Sequence, residues 1–397
     1  MERKDCRACG SLNIECFLDF GFMPLAGGFL KNKNSEDNLY DLKINFCHDC
    51  SLIQISNVVD PDIMFQDYSF SSSTVKPLHD HFENYAQWLV SKTKGLKYFE
   101  FGCNDGILLD KLEKLNMFSV GIDPSINITD IAKSKNLNVI TGYFGESSVN
   151  EIVKNHGKFD VVSGSNVFAH NNDPGDILNS ANIILNDDGF ISLEVMYAYD
   201  LLSKFQWDTL YHEHLTFYSL HSIKRLLNKF GFYLIDAERI PMHGGSLRIL
   251  ASKNKNLTPN KSVDKLLKLE NEIQLNTFST WKVFGLNAKK KISIVKNIYN
   301  DLSVNNNIWA YGAAGKSTLW VNACEMNYLN GVIDASPLRA GKFMPGTKTE
   351  IFFPEKLKSE KVDIIFITAW NYRDNIVKNE PWFKGQWSTP LPDLSFF

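Results

Sequence analysis

The sequence predicts an α/β protein in three parts: a small N-terminal metal-binding module, a central Rossmann-like domain, and a smaller Rossmann-like α/β domain at the C-terminal end. Three observations predict it. Two CxxC pairs stand in an opening stretch broken by Gly, Pro and Asn. From about Pro77 apolar, strand-like runs alternate with helical periodicity, and that alternation resumes at Ile308 after a polar helical stretch. A chain of 397 residues is also longer than one hydrophobic core usually organises. The expected divisions are residues 1–75, 76–255 and 256–397.

Composition narrows the class. Hydrophobic residues make up 44% and charged residues 22%, with a net charge of -3, as in a globular protein with real cores. Lys+Arg (42) nearly balance Asp+Glu (45) without long runs of one sign, which argues against nucleic acid or an anionic membrane and for a small-molecule partner. No segment reaches the roughly 18 apolar residues of a spanning helix, and MERKDCRACG is followed by no apolar stretch. A cytoplasmic monomer or small homo-oligomer is expected.

The first element is a metal site. Cys6-Arg7-Ala8-Cys9 and Cys47-His48-Asp49-Cys50 deliver four thiolates in two pairs, which suits a closed tetrahedral zinc. A structural role follows, because a catalytic zinc keeps one position open and favours His or carboxylate ligands. Cys16, Cys103 and Cys324 stand apart, and the pattern suits a reducing compartment better than disulfides. The 37 residues between Cys9 and Cys47 exceed a compact ribbon, so something besides the metal must order them. His48, inside a complete pair, is expected to face solvent.

The central part opens with the helical HDHFENYAQWLVSKT. The run Tyr98-Phe99-Glu100-Phe101-Gly102-Cys103-Asn104-Asp105-Gly106 then puts an apolar strand, an acid and a glycine turn before a helix. Glycines let a backbone approach a ligand at the carboxyl end of a parallel strand. Dinucleotide domains use GxGxxG around a pyrophosphate; here the acid-led E-x-G-x-x-x-G suits S-adenosylmethionine, which carries a sulfonium and an amino acid instead of phosphates. Val120-Gly121-Ile122-Asp123 ends the next strand with an acid placed for the ribose hydroxyls. Gly142-Tyr143-Phe144 follows the third strand, where Tyr143 and Phe144 flank the adenine or belong to the core.

The fourth strand, FDVVSGS, leads to Asn166-Val167-Phe168-Ala169-His170, so His170 is presented at a carboxyl strand end. Beyond FISLEV lies Tyr211-His212-Glu213-His214, four consecutive titratable residues. Extended, Tyr211 and Glu213 would point one way and the histidines the other; as a helix the tetrad would wrap the axis. The spacing is poor for a zinc enzyme, and general acid–base work fits better.

These residues resemble the sugar C-methyltransferases that act on nucleotide-linked deoxy-keto-sugars in antibiotic and polysaccharide pathways. The resemblance rests on the paired CxxC knuckles, Pro24-Leu25-Ala26, Tyr68-Ser69-Phe70-Ser71-Ser72, EFGCNDG, NVFAH, YHEH and His243-Gly244-Gly245-Ser246-Leu247-Arg248, in family order over nearly the whole chain. It implies a zinc-binding domain, a class I methyltransferase domain holding Glu100, Gly102, Asn104, Asp105, Gly106, Asp123 and Asn166 around the cofactor, and a C-terminal α/β domain. The nucleotide-linked keto-sugar would lie between domains. It further implies His214 as a base beside a ketone, with Tyr211, Glu213 and His170 near the reacting sugar and Tyr68 on the lid side. Family members tend to carry a Tyr where this chain has Phe70, which weakens the match at Tyr68.

Two segments carry a bland reading beside the functional one. HGGSLR is a turn into a strand, or it lets His243, Gly244 and Arg248 face the sugar nucleotide. Ala310-Tyr311-Gly312-Ala313-Ala314-Gly315-Lys316-Ser317 fits a permissive P-loop, but VDIIFITAW ends without an acid for magnesium. Gly315 and Lys316 are expected to hold the substrate's diphosphate or merely to turn the chain; Asp334, Pro345-Gly346 and Trp370-Asn371-Tyr372 would complete that pocket. An O- or N-methyltransferase of a small metabolite, and a binding module with a decayed methyltransferase fold, are the competing functions.

Overall fold

The computed structural model of the chain describes residues 2–65, 71–391 and 394–397. The opening stretch builds β1 (Ile14–Pro24), β2 (Leu39–Cys47) and β3 (Ile53–Ile55), antiparallel in that order, followed by the short α1 (Pro61–Phe65). This β1–β2 hairpin orders the long gap between the two cysteine pairs. Register shifts at Cys16/Leu18 and Asp19/Phe22 let it bend.

Helix α2 (Lys76–Thr93) buries Leu78, Phe82, Tyr85, Ala86 and Leu89, one stripe at helical spacing, and stops at Lys94 in the left-handed region. Then come β4 (Lys97–Phe101), α3 (Ile107–Lys114), β5 (Phe118–Asp123), α4 (Ile126–Ser134), β6 (Val139–Thr141), α5 (Glu146–His156), β7 (Phe159–Ser165), α6 (Pro174–Ile184), β8 (Leu185–Met196) and α7 (Ala198–Ser203). After β9 (Thr216–Phe217) follow α8 (Leu220–Lys229), β10 (Tyr233–Ile240) and β11 (Ser246–Ser252). The central sheet runs β10-β11-β8-β7-β4-β5-β6. It is parallel from β8 to β6, and β11 lies antiparallel between β8 and β10. Tyr98, Phe99, Glu100 and Phe101 of β4 are all buried, as a strand covered on both faces requires. HGGSLR is indeed a turn into a strand, β11.

Two helices, α9 (Lys261–Glu272) and α10 (Phe278–Ser303), lead to β12 (Ile308–Tyr311), α11 (Gly315–Ala323), β13 (Gly331–Ile333), β14 (Ile351–Phe352), β15 (Ile364–Ile367), α12 (Arg373–Asn379), β16 (Gln386–Thr389) and β17 (Ser395–Phe396). Their sheet order is β14-β13-β12-β15-β16-β17, parallel except for β17. Alternate strands and helices thus give a second doubly wound unit.

The three parts are not beads on a string. Strand β9 pairs with β3, so residues 216–217 complete the N-terminal sheet. One core cluster runs from Phe17 and Leu18 of β1 through Trp207 and Trp281 to Trp320, Ile308 and Ala310. Helix α10 packs so closely on β1 that a Cβ at Gly285 would collide with the Phe17 carbonyl. Another cluster joins Cys6, Cys47 and Cys50 to Tyr218, Leu220 and Ile223. Among the described residues no helix is long and apolar enough to cross a membrane.

Candidate active site between the three sheets

The thiol sulfurs of Cys6, Cys9, Cys47 and Cys50 lie within 4.8 Å of one another. Cys6 and Cys50 are 3.4 Å apart and Cys9 and Cys47 3.6 Å. Zinc–sulfur bonds of about 2.3 Å in a tetrahedron space the sulfurs by about 3.8 Å, so the donor set fits that ion. No open ligand position or carboxylate joins the cluster among the described residues. His48 turns outward, its Nε2 3.1 Å from Glu15 and its ring on Phe278.

The cofactor loop joins the carboxyl ends of β4 and β5. Gly102 has φ 64, and a side chain there would collide with Val167, so the turn requires glycine. The Asn104 and Ser125 amides donate to Asp123, at 3.0 and 2.9 Å. Each carboxylate oxygen keeps a further lone pair for a hydroxyl. Burial raises the Asp123 pKa against those amide bonds. Glu100 is buried and pushed well above its usual value, first by burial and then by the charges of Asp123, Glu194 and Asp105. Its Oε2, with Asp105 Oδ1 and Asn166 Oδ1, finds no partner among the described residues. Orphaned acceptors and clustered acids at a strand-end cradle fit a cationic ligand that donates hydrogen bonds, as the sulfonium and ammonium of S-adenosylmethionine do.

Other residues of this group also engage neighbouring segments. Asn104 and Asp105 turn their side chains to the Ser71–Thr74 segment, accepting from the Ser72 and Ser73 amides at 2.8 and 2.9 Å. Gly106 caps α3, with φ 77. Tyr143 is exposed and donates to Asp62 of α1 at 2.8 Å. Phe144 belongs to the core, packed on Phe99 and Phe101 at ring distances of 5.1 and 5.5 Å. Asn166, at φ 56, is bound through its amide to the Glu194 carbonyl.

Tyr211-His212-Glu213-His214 forms a tight turn, closed by His214 N donating to Tyr211 O at 2.9 Å, and is neither strand nor helix. Tyr211 and His214 therefore share one side, their rings 4.0 Å apart, and His170 stacks on His214 at 5.3 Å. His212 and Glu213 serve the N-terminal module: His212 Nε2 lies 3.2 Å from the Tyr40 carbonyl, and Glu213 Oε1 accepts from Gly27 N at 2.7 Å. His214 Nδ1 is 2.8 Å from the Thr209 carbonyl. A carbonyl only accepts, so that bond places the proton on Nδ1 and leaves the Nε2 lone pair available. Burial first, then His170, pushes the His214 pKa well below 6.5; burial and His243 bring His170 to about 4. Tyr68 lies outside the described residues.

The third sheet supplies the facing wall. Gly315 meets Tyr211 so closely that a Cβ there would stand 2.9 Å from the ring. Lys316 Nζ lies 4.7 Å over the Trp370 ring. Behind it, Asp208 accepts from the indoles of Trp320 and Trp370 at 3.1 and 2.6 Å. His243 and Gly244 line a cavity of about 160 Å³ with Val75, Pro77, Leu78, Pro241, Met242, Asn371 and Tyr372. Arg248 does not open onto it: its guanidinium bonds Glu194 at 2.7 Å and lies over Tyr85, so its charge is already neutralised. Glu194 also binds His81 at 2.9 Å. Burial would raise it, but His81, Arg248 and Ser165 outweigh that and hold it at about 2. The sequence assigns no role to Asp208 or His81, because nothing local marks a residue whose partner is more than 100 positions away; Thr209 acts through its backbone carbonyl, which no residue type signals.

Three family profiles match in succession: a zinc binding domain over residues 6–65, a methyltransferase domain over 78–237 and a C-methyltransferase C-terminal domain over 241–392. The chain is 28% identical to C-methyltransferase NovU of Streptomyces niveus across 98% of its own length and 96% of that protein. It is 29% identical to the ubiquinone biosynthesis O-methyltransferase of Haemophilus ducreyi, over 28% of this chain and 50% of that one. Among solved structures, magnesium protoporphyrin IX methyltransferase from Synechocystis, with bound S-adenosylhomocysteine, aligns at a TM-score of 0.36 and 16% identity, covering 45% of this chain and 84% of that one.

Proposed function

The chain belongs to the S-adenosylmethionine-dependent C-methyltransferases that carry a zinc-binding module, and we propose that its substrate is a nucleotide-linked 4-keto-deoxysugar. The observation that carries this reading is the His214 turn: a half-buried imidazole whose Nδ1–H is spent on Thr209, which leaves the lone pair on Nε2. Carbon has no lone pair to methylate, so C-methylation calls for a neighbouring carbonyl that acidifies the C–H and a base to take the proton.

His214 Nε2 takes that proton, and the C–H electron pair becomes the enolate. Burial keeps the imidazole neutral, hence basic, at pH 7. Tyr211 and His170 both pack on its ring and fix its aim. Glu213 holds the turn against Gly27. Glu100, Gly102, Asp123 and Asn166 orient the cofactor, which when bound supplies an electrophilic methyl on a sulfonium. The sugar lies beside the turn, toward the cavity that His243 and Gly244 line with residues of the C-terminal part.

The test is incubation of the protein with S-adenosylhomocysteine and a nucleotide-linked 4-keto-sugar in deuterium oxide. Exchange at a carbon beside the ketone is expected, lost in His214→Gln, followed by C-methylation when S-adenosylmethionine replaces the homocysteine. Methylation of a hydroxyl or amine without exchange would overturn the reading in favour of O- or N-transfer.

A further inference from the structure

We infer that Lys316 is a catalytic residue whose ammonium binds the substrate's carbonyl oxygen and carries the negative charge that develops there as the enolate forms. The inference deepens the keto-sugar reading and rests on it. It also departs from the expectation that this lysine grips the diphosphate.

Lys316 is half-buried, yet its Nζ is removed from solvent and has no hydrogen-bond partner among the described residues. It is held in place without spending a donor: the indole face of Trp370 lies 4.7 Å beneath it. That face attracts a cation by its quadrupole while leaving all three N–H bonds free. Trp370 is itself fixed, because its indole N–H is bound to the buried Asp208. Burial lowers the Lys316 pKa from its usual value, and the carboxylate that steadies the platform offsets part of that. A desolvated ammonium with three unspent donors at a fixed position is what stabilisation of a developing oxyanion requires.

Position decides between carbonyl and diphosphate. The preceding residue, Gly315, is pressed against Tyr211, whose ring is 4.0 Å from the His214 ring. His214 and His243 both feel the Lys316 charge. Base and cation thus flank the same volume. In a 4-keto-sugar linked through C1, the ketone lies across the ring from the diphosphate, while the acidic C–H is adjacent to it. The charge count agrees. Arg248 is neutralised by Glu194, and Lys204 bonds the Gly244 carbonyl and Asp200. A lone ammonium that gives no hydrogen bond among the described residues matches the single charge of an enolate better than a dianionic diphosphate.

The balance is simple. The C–H bond breaks and its proton goes to His214 Nε2. The electron pair forms C=C as the carbonyl π pair moves to oxygen, where Lys316 donates a hydrogen bond. When the enolate carbon forms its new bond to the methyl group, the carbonyl is restored and the sulfonium leaves as a thioether.

The experiment compares wild type, Lys316→Met and Lys316→Arg in deuterium exchange with S-adenosylhomocysteine present, in kcat and KM for methyl transfer, and in calorimetric binding of the substrate's nucleoside diphosphate. Expected is a fall of about 10²–10³ in both exchange rate and kcat for Lys316→Met. Partial recovery in Lys316→Arg is expected, with KM and nucleoside diphosphate affinity within about threefold of wild type. A large loss of nucleoside diphosphate affinity with exchange retained overturns the assignment and leaves the keto-sugar reading standing. Absence of exchange in the wild type with any 4-keto-sugar nucleotide overturns the reading and the assignment together.

Discussion

Glu100, Gly102, Asn104 and Asp123 sit on two adjacent strand ends within one short stretch of sequence, whereas His170, His214, Lys316 and Trp370 come from four segments spread across the chain. The first group is positioned by backbone: strand ends, a positive-φ glycine and amide bonds to a carboxylate. The second is positioned by side chains and by other parts of the molecule. Gly27 holds Glu213, Thr318 of α11 bonds the Ala26 carbonyl, and β3 pairs with β9 just beyond His214. The Pro24–Gly28 turn thereby touches both the base-bearing turn and the helix that carries Lys316. In the proposed reading, binding the cofactor is a property of one sheet, and using it is a property of all three.

If that division holds, His214→Gln gives the largest effect. Turnover should fall by about 10²–10⁴, the usual contribution of a general base, while calorimetric affinity for S-adenosylhomocysteine stays unchanged. A parallel loss of affinity would show that the two halves are one unit. Zinc removal cuts the same line from outside. Cys47 ends β2 and Cys50 precedes β3, so loss of the ion frees β3 and, through it, β9. Stripping zinc with a chelator should lower turnover on the order of a hundredfold, the cost of misplacing a reacting group by an ångström. Hydrogen exchange should rise over residues 209–218 before it rises in the Gly102 loop. Equal deprotection of both would break the distinction. Asp123→Ala acts on the other side: affinity for S-adenosylmethionine should weaken at least about tenfold, ~1.4 kcal/mol, with kcat at saturation nearly kept. A kcat loss larger than the affinity loss would count against it.

The same contrast explains what could be read beforehand. The CxxC pairs, the E-x-G-x-x-x-G turn and Asp123 are legible because strand, turn and acid are neighbours in sequence, and local rules fix their geometry. His214 was found through a motif. Its tautomer was not, since that depends on the Thr209 carbonyl. Glu213 and His212 stand in a cluster of titratable residues, and their bonds to Gly27 and Tyr40 cannot be read from it. Arg248 looked like an anion ligand until Glu194, on the adjacent strand, claimed it. A sequence shows which residues can ionise; which partner neutralises them is settled by tertiary packing.

The smallest expected effect separates the halves by the sign of their pH dependence. His170 and His243 are held at about 4 and His214 well below 6.5, in each case first by burial. The unfolded chain protonates these imidazoles near pH 6.5. The stability they contribute is therefore present above 6.5 and lost as pH falls through the folded values. Glu100 and Asp123 are raised by burial, so their contribution is present below about pH 4 and lost as pH rises through the folded values. The melting temperature of the ligand-free protein should accordingly decline on acidification from pH 6.5, and His170→Asn should flatten that decline. Glu100→Gln should raise the melting temperature at pH 8, where the wild type is made to bury an unpaired carboxylate, and should weaken cofactor binding. The acid limb of kcat/KM should lie well below 6.5, because burial keeps the base unprotonated under the value of a free imidazole. An acid limb near 6.5 would mean that His214 is solvated in the working enzyme and that the reacting half, unlike the cofactor half, opens to water during turnover.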